Sequence, residues 1–326
     1  MLSFLLYWQE TAGRTVRAVS RRAWVLFAAM SVIWGIPYLL IKIADGGVSV
    51  PVLVFARVAL GALVLFPVAL HRRELGALRG HWLWLAAFAL AEIIGPFALL
   101  SSAERRLSSS ATGLLIAAVP IIGAVLARLT GGTDRLTRTR LAGLVIGLAG
   151  VALLAAPDLG RGDALSVAEV LLTALGYAIG PMIANRRLSG VPGAAANAVC
   201  LGTAAIVYAP AAALPWPASM PSPEVLAALA GLGVICTAAA FVVYFRLIAE
   251  VGAARATVIT YVNPAVAVAL GVIVLSEPLT AVILGSFALI LGGSFLATRP
   301  DAPARGPAPA ERFGPVGTSP GRGADM

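Results

Sequence analysis

Two charged residues sit where an apolar segment gives them no obvious partner. Glu92 falls halfway along a stretch of uncharged, mostly apolar residues, 82–101, and Arg57 lies inside another, 52–70. A charged side chain at the centre of a bilayer costs about 2.5–3.5 kcal/mol on insertion scales. Glu92 is therefore expected to face a cavity or a partner, or to carry a proton, which suits a proton-coupling or cation-binding group. A protonated glutamic acid bonded to a neighbouring helix for structural reasons is the competing role. Arg57 suits an anionic substrate group or a carboxylate such as Glu169. Lys42 stands near the end of the first stretch, where a long cationic chain reaches the interface. Trp34 and Tyr38, spaced i, i+4, are expected on one helix face. With Tyr177 opposite they would line a cavity for mixed apolar and polar ligands, or simply pack. Tyr261 and Asn263 add polar groups just before Pro264. That proline and Pro120 free carbonyls at membrane depth, which is tolerable where they line a cavity.

The elements that must hold these groups follow from composition. Of the 326 residues 60% are hydrophobic and 12% charged, with mean hydropathy +0.93, against about 45–50% and 25% in a soluble domain. Ten continuous apolar runs are long enough to cross a bilayer as helices: 24–43, 52–70, 82–101, 109–128, 140–157, 165–185, 194–214, 224–245, 255–275 and 280–298. Their continuous Ala, Leu, Val, Ile and Gly content is unlike the alternating ten-residue segments of a membrane barrel. The chain is expected to be an all-α membrane protein. Gly143 and Gly147 form a small-xxx-small face in the fifth run, and Gly292 and Gly293 thin the tenth, which predicts close helix packing.

The net charge of +9 would suggest a nucleic-acid partner in a soluble chain. Here it is explained by loop arginines. With the N-terminus placed in the cytoplasm, only Lys42, Arg57, Arg105, Arg106 and Arg161 of the 24 cations fall on the opposite side or near it. That asymmetry is the positive-inside pattern, and an even number of spans returns the C-terminus to the cytoplasm. Residues 1–23 read as a basic cytoplasmic segment: Arg14, Arg17 and Arg21 would share one helical face on an anionic membrane surface, or belong to a mobile tail. Residues 299–326, rich in Pro, Gly and Ala, read as a disordered tail.

The two halves match at a spacing of 143 residues. Trp34-Gly35-Ile36-Pro37-Tyr38 lies over Tyr177-Ala178-Ile179-Gly180-Pro181, Asp134-Arg135-Leu136-Thr137 over Glu277-Pro278-Leu279-Thr280, and Gly150 over Gly293. The halves, 24–157 and 165–298, would each hold five helices. Five is odd, so the second half enters the membrane from the other side. Inverted repeats of this kind characterise many secondary transporters, with a site near the midplane.

At these residues the chain resembles the EamA-type ten-helix permeases of the drug/metabolite transporter superfamily. The resemblance rests on Trp34-Gly35 to Lys42, Pro51 to Arg57, Pro120, Pro264, Gly271 through Glu277-Pro278-Leu279-Thr280, and Gly285 through Gly292-Gly293. It implies a ten-helix carrier with both termini cytoplasmic and a central cavity between the repeats, for amino acids, other metabolites or drugs. Gly35, Lys42 and Glu277 are family markers or structural residues on this view, and capping the tenth helix would explain Glu277. The chain departs from internal symmetry at Asn185, where the first repeat has Lys42.

The expected function is secondary-active export of a small metabolite, amino acid or drug-like molecule, with protons as the coupling ion. The expected partners are that substrate, protons and the lipid bilayer of the cell membrane, with a homodimer compatible and no nucleic acid. No cofactor or metal is expected. The two histidines, His71 and His81, flank a loop, and no HExxH, phosphate loop or CxxC is present. A lipid-handling membrane enzyme and a non-transporting sensor remain as alternatives.

Overall fold

The structure, a computed structural model, describes residues 20–130, 137–251 and 257–298. The expected surface helix at Arg14 and Arg17, the repeat match at Asp134, Arg135 and Leu136 and the tail beyond 298 lie outside the described residues. Between them the chain is helical: α1 Arg21–Ile33, α2 Pro37–Asp45, α3 Val50–His71, α4 Trp82–Ala89, α5 Gly95–Ala103, α6 Ser109–Ile116 and α7 Val119–Leu129. Then follow α8 Arg138–Gly160, α9 Ala164–Arg187, α10 Gly193–Ala213, α11 Pro223–Ala230, α12 Ala240–Val251, α13 Asn263–Leu275 and α14 Ala281–Thr298. Among the described residues eight stretches are long and apolar enough to cross a membrane: Arg21–Asp45, Val50–His71, Trp82–Ala103, Ser109–Leu129, Arg138–Gly160, Ala164–Arg187, Gly193–Ala213 and Pro223–Val251. Two shorter apolar stretches, Ile259–Leu275 and Ala281–Ala297, complete the bundle. Large apolar side chains such as Leu83, Val145, Ile206 and Ile273 face outward and exposed, an arrangement that hydrocarbon, not water, makes favourable.

Five of the apolar stretches are not regular α-helix. The first breaks at Trp34–Ile36, because Pro37 lacks a donor and its ring excludes the carbonyl four residues back. The fourth breaks between Ile116 and Val119, just before Pro120, and the ninth passes from a 3₁₀ turn at Thr257–Tyr261 into α13 just before Pro264. The third widens into a π-helical turn at Leu90–Ile94, ahead of Pro96, with the Gly95 N–H reaching back to the Leu90 carbonyl. The eighth widens similarly over Gly231–Ala239. Wide turns of this kind cluster at functional sites. At the 143-residue spacing Glu92 corresponds to Ile235, so the two π segments occupy matching places.

The packing pairs respect the repeat. α8 packs along α14 and α3 along α10, each the counterpart of its partner, and α6 of the fourth stretch packs on α13 of the ninth. α5 packs on α9, and exchanging the halves turns this pair into α11–α12 against α2–α1, which also pack together. The α8–α14 crossing is the tightest of these. A Cβ added to Gly293 would lie 2.3 Å from Gly147 N, and one added to Gly143 would lie 2.3 Å from Ala297 N. This is the close approach expected of the small-residue face, with dispersion replacing the hydrophobic drive that lipid cannot supply.

The same geometry sets a stability test. Gly293→Val should push α8 from α14 and cost about 1–3 kcal/mol, read as a lower unfolding midpoint in detergent. Gly292→Ala, whose added Cβ meets nothing within 4 Å, should leave the midpoint unchanged. Equal effects would refute the crossing as the source.

Candidate functional site

Arg57 is the most informative side chain of the interior. It projects from α3 and is only 5% exposed. Its Nε donates to Thr237 Oγ1 at 3.1 Å, and its guanidinium carbon lies 3.7 Å from the Phe97 ring centroid. Thr237 is held by donating its hydroxyl to the Leu232 carbonyl, 2.8 Å away and five residues back. That bond exists because the eighth stretch is π-helical there. Phe97 follows the third stretch's π turn. The second π segment thus presents Thr237, and α5 just beyond the first presents Phe97, to one arginine, and Arg57 Nη1 is buried with no hydrogen-bond partner. A buried, half-satisfied guanidinium is a strong recognition group for a carboxylate or similar anion.

Glu92 projects from the π turn towards α9. A Cβ placed on Gly180 would lie 2.0 Å from Glu92 Oε2, so the carboxyl rests directly on that glycine. Oε2 is buried and unpartnered. Tyr177, one turn before Gly180, lies within electrostatic reach of both Glu92 and Arg57, and Tyr244 of α12 within reach of Glu92. Trp34 stacks at a tilt on Tyr244, with ring centroids 4.8 Å apart. Tyr38, buried, lies against Gly113 and within reach of Tyr177 and Arg57. Among the expected candidates the structure therefore gathers Arg57, Glu92, Trp34, Tyr38 and Tyr177, from both halves of the chain. Thr237, Phe97 and Tyr244 join them. Neither Thr237 nor Phe97 carries a sequence signal of its own, although Pro96 in mid-stretch marks the distorted turn beside Phe97.

The other candidates are placed elsewhere. Tyr261 donates to the Ser294 carbonyl at 3.3 Å, and Ser294 Oγ donates to the Ala117 carbonyl, also at 3.3 Å. Asn263, with its amide nitrogen turned to donate, reaches the carbonyls of Ile259 (3.0 Å) and Ser31 (3.1 Å). These bonds tie together the chain breaks beside Pro120, Pro264 and Pro37. Gly35 lies in the first break, where an added Cβ would fall 2.5 Å from Val266. A cavity of about 250 Å³ opens between α3, α10 and α12, beside Arg72, Phe245 and Arg246, away from this polar group.

Four expectations need correction. Glu169 does not pair with Arg57, because it accepts Ser102 Oγ at 2.9 Å. Lys42 does not reach for the interface: its Nζ donates to the carbonyls of Glu104 and, at 3.0 Å, Leu107, covering carbonyls left open beyond the end of α5. Glu277 does not cap α14, where the Thr280 hydroxyl accepts from Ile283 N. Its carboxylate instead accepts Ser109 N at 2.7 Å and Ser110 N at 2.9 Å, so a residue of the second half caps α6 in the first. Finally, Trp34 and Tyr38 do not share one unbroken helix face, since the helix is interrupted between them.

Beside Lys42 lies Glu104, a residue the sequence conceals behind Arg105 and Arg106. It is 0% exposed, and neither carboxyl oxygen has a hydrogen-bond partner. Burial pushes its carboxyl well above the usual carboxylate range, against the pull of the Lys42 ammonium.

The contact between Glu92 and Gly180 is open to a direct check. Gly180→Ala should destabilise the protein by about 1–3 kcal/mol as the carboxyl is displaced. Most of that loss should vanish when Glu92→Ala is already in place, a coupling of about 1 kcal/mol or more in a double-mutant cycle. Additive losses would mean that the two residues do not touch.

Comparison with known proteins agrees with this architecture. Residues 22–156 and 165–299 each match the model of the EamA-like transporter family. The inner membrane transporter YedA of Escherichia coli is 29% identical over 248 residues, covering 74% of this chain and 79% of that one. The transporter YvbV of Bacillus subtilis is 26% identical over 282 residues, covering 83% and 89%. A solved crystal structure superposes with a TM-score of 0.63 at 22% identity, over 85% of this chain and 96% of that one, which shows a shared fold. Several apolar helices and membrane-transporter relatives make this a multi-pass protein of the cell membrane. With two copies of the family's domain in a single chain, it belongs to the EamA-like transporter family, the EamA-type permeases of the drug/metabolite transporter superfamily.

Proposed function

We propose that the protein is a secondary-active carrier that exports a small, carboxylate-bearing metabolite, amino acid or drug-like molecule by alternating access. Ten helices form two inverted five-helix repeats, 24–157 and 165–298, with both termini in the cytoplasm. The halves rock about a site near the midplane. The observation that carries this reading is the buried Arg57, with a free Nη1, held by Thr237 of the second π segment and by the Phe97 ring just beyond the first. The exchange-symmetric helix pairing supports two equivalent packings of the same bundle, which alternating access needs. In this reading Arg57 holds the substrate's anionic group. Tyr38, Tyr177, Trp34 and Tyr244 hold its apolar body. Glu92, set on Gly180, takes up the coupling proton or a cationic group of the substrate.

The test is uptake of a labelled panel of carboxylate-bearing and uncharged metabolites into proteoliposomes, with and without a pH gradient. Arg57→Met should lose carboxylate transport by about 100-fold or more, in keeping with the worth of a buried charge-assisted hydrogen bond. Arg57→Lys should restore a part of it. Undiminished transport in Arg57→Met would sink the anion-site reading. Gradient-driven transport that survives Glu92→Gln would remove Glu92 from proton coupling.

A further inference from the structure

We propose that Glu104 is a second, separate proton-binding site, which keeps one end of the bundle closed while its carboxyl is neutral and lets it open on ionisation. The proposal rests on the alternating-access reading above but concerns the closure, not the central group around Arg57.

Glu104 follows directly on α5, where three turns are strapped together. From the first turn, Lys42 holds the Glu104 and Leu107 carbonyls, and Asp45 pairs with Arg105 Nε at 2.6 Å. Arg105 also donates to the Val48 carbonyl. From the last turn, Glu277 clamps Ser109 and Ser110. Gly271 leaves the room for this clamp, since an added Cβ would lie 2.4 Å from both Glu277 Oε2 and Ser110 Oγ. From the start of α9, Asp163 receives Arg106 at 3.3 Å. The titratable and charged groups facing Glu104 are thus Tyr38, Lys42 and Asp45 from α2, Arg57 from α3 and Glu277 from the turn before α14. Asp45 and Glu277 are engaged by their own partners, as is Glu169 of α9 by Ser102. Two of the three Lys42 protons are committed to carbonyls.

Lys42, Arg57 and Glu277 each make at least one hydrogen bond and Asp45 an ion pair, whereas the Glu104 carboxyl is fully buried with neither oxygen bonded. Such a group adds nothing to the stability of the closed end, since a buried acid without a partner costs free energy. It does set which conditions favour that end. The closed state holds the carboxyl neutral, and an opened state exposes it to water beside the Lys42 ammonium. The closed state therefore binds the proton more tightly, so low pH favours closure. Rising pH favours opening, with the proton passing from the carboxyl oxygen to water.

The test measures distances between spin labels at Gly46→Cys and Leu279→Cys in a full-length Cys200→Ala/Cys236→Ala protein in nanodiscs. Gly46 reports the first turn, and Leu279 the loop that Glu277 anchors to α6. Between about pH 5 and 9 a longer distance should grow at the expense of a shorter one, its ratio rising by up to about tenfold per pH unit between the open-state and closed-state midpoints and levelling off above the latter. Glu104→Gln, isosteric and neutral, should retain the short distance throughout, and Lys42→Met should move the midpoint to higher pH. A Glu104→Gln protein that still opens with pH would overturn the proposal while leaving alternating access standing. So would a pH response lost in Glu92→Gln but kept in Glu104→Gln. A wild-type distance that is the same at every pH would overturn it too, and the transport assay then judges alternating access independently.

Discussion

Inside a bilayer a backbone carbonyl without a donor has no water to turn to, and this constraint organises the molecule. Uninterrupted helices bond their backbone groups internally and offer none of them at mid-depth. Each interruption in turn leaves groups that the protein must satisfy from within. The breaks beside Pro37, Pro120 and Pro264 are tied by Asn263 to Ser31 and Ile259, by Ser294 to Ala117, and by Tyr261 to Ser294. The exposed carbonyls beyond α5 are taken by Lys42, and the open N–H groups of α6 by Glu277. Almost every one of these bonds joins elements far apart in the chain. The irregular places are therefore also the places where the two halves are stitched.

Glycine and π turns divide the remaining work. Where rigidity is wanted, at α8 against α14, Gly143, Gly147 and Gly293 bring backbones into contact and leave no space for rearrangement. Where polar groups are wanted, α-helical regularity is relaxed instead. The π segment at Gly231–Ala239 frees Thr237 to bond Leu232 and meet Arg57, and the one at Leu90–Ile94 turns Glu92 on to Gly180. The second widened turn packs on α3 and the first on α9 and α10, and the tight crossing lies elsewhere. A bundle arranged in this way has a stiff seam and a compliant interior.

The apolar stretches, their approximate bounds, the internal repeat and the close packing at Gly143 and Gly147 were legible in the sequence, because each is a local property of composition or spacing. Pro37, Pro96, Pro120 and Pro264 marked four of the places where helices depart from regularity, although Pro67, Pro157, Pro181 and Pro210 lie inside regular helices and the π segment at Gly231–Ala239 has none. What they could not mark is which groups repair the damage. Lys42 finds Leu107 and Ser110 finds Glu277 only through tertiary packing, and a lysine near a helix end reads as an interfacial residue until its carbonyl partners are seen. Arg57 was visible as a misplaced cation, yet its partner was not: Glu169 offered the opposite charge, whereas the structure supplies a hydroxyl and an aromatic face. Glu104 was hidden for the opposite reason. Two adjacent arginines suggest a neutralised acid, but both turn to other carboxylates, Arg105 to Asp45 and Arg106 to Asp163.

That redistribution matters for energetics. A fold selected for stability alone would pair Glu104 with the cation next to it, or replace it with leucine. Leaving a buried carboxyl without a donor costs on the order of 1–3 kcal/mol, a sizeable share of the roughly 5–15 kcal/mol by which a typical protein is stable. The same holds for the open nitrogen of Arg57 and the open oxygen of Glu92. These groups occupy distinct settings: a cation with aromatic walls, an acid set against a glycine, and an acid within a closure. In this conformation each of the three leaves at least one buried polar atom without a partner. Their cost is recovered only in a conformation or complex that supplies the missing partner: an anion for Arg57, and water or a proton acceptor for the two acids.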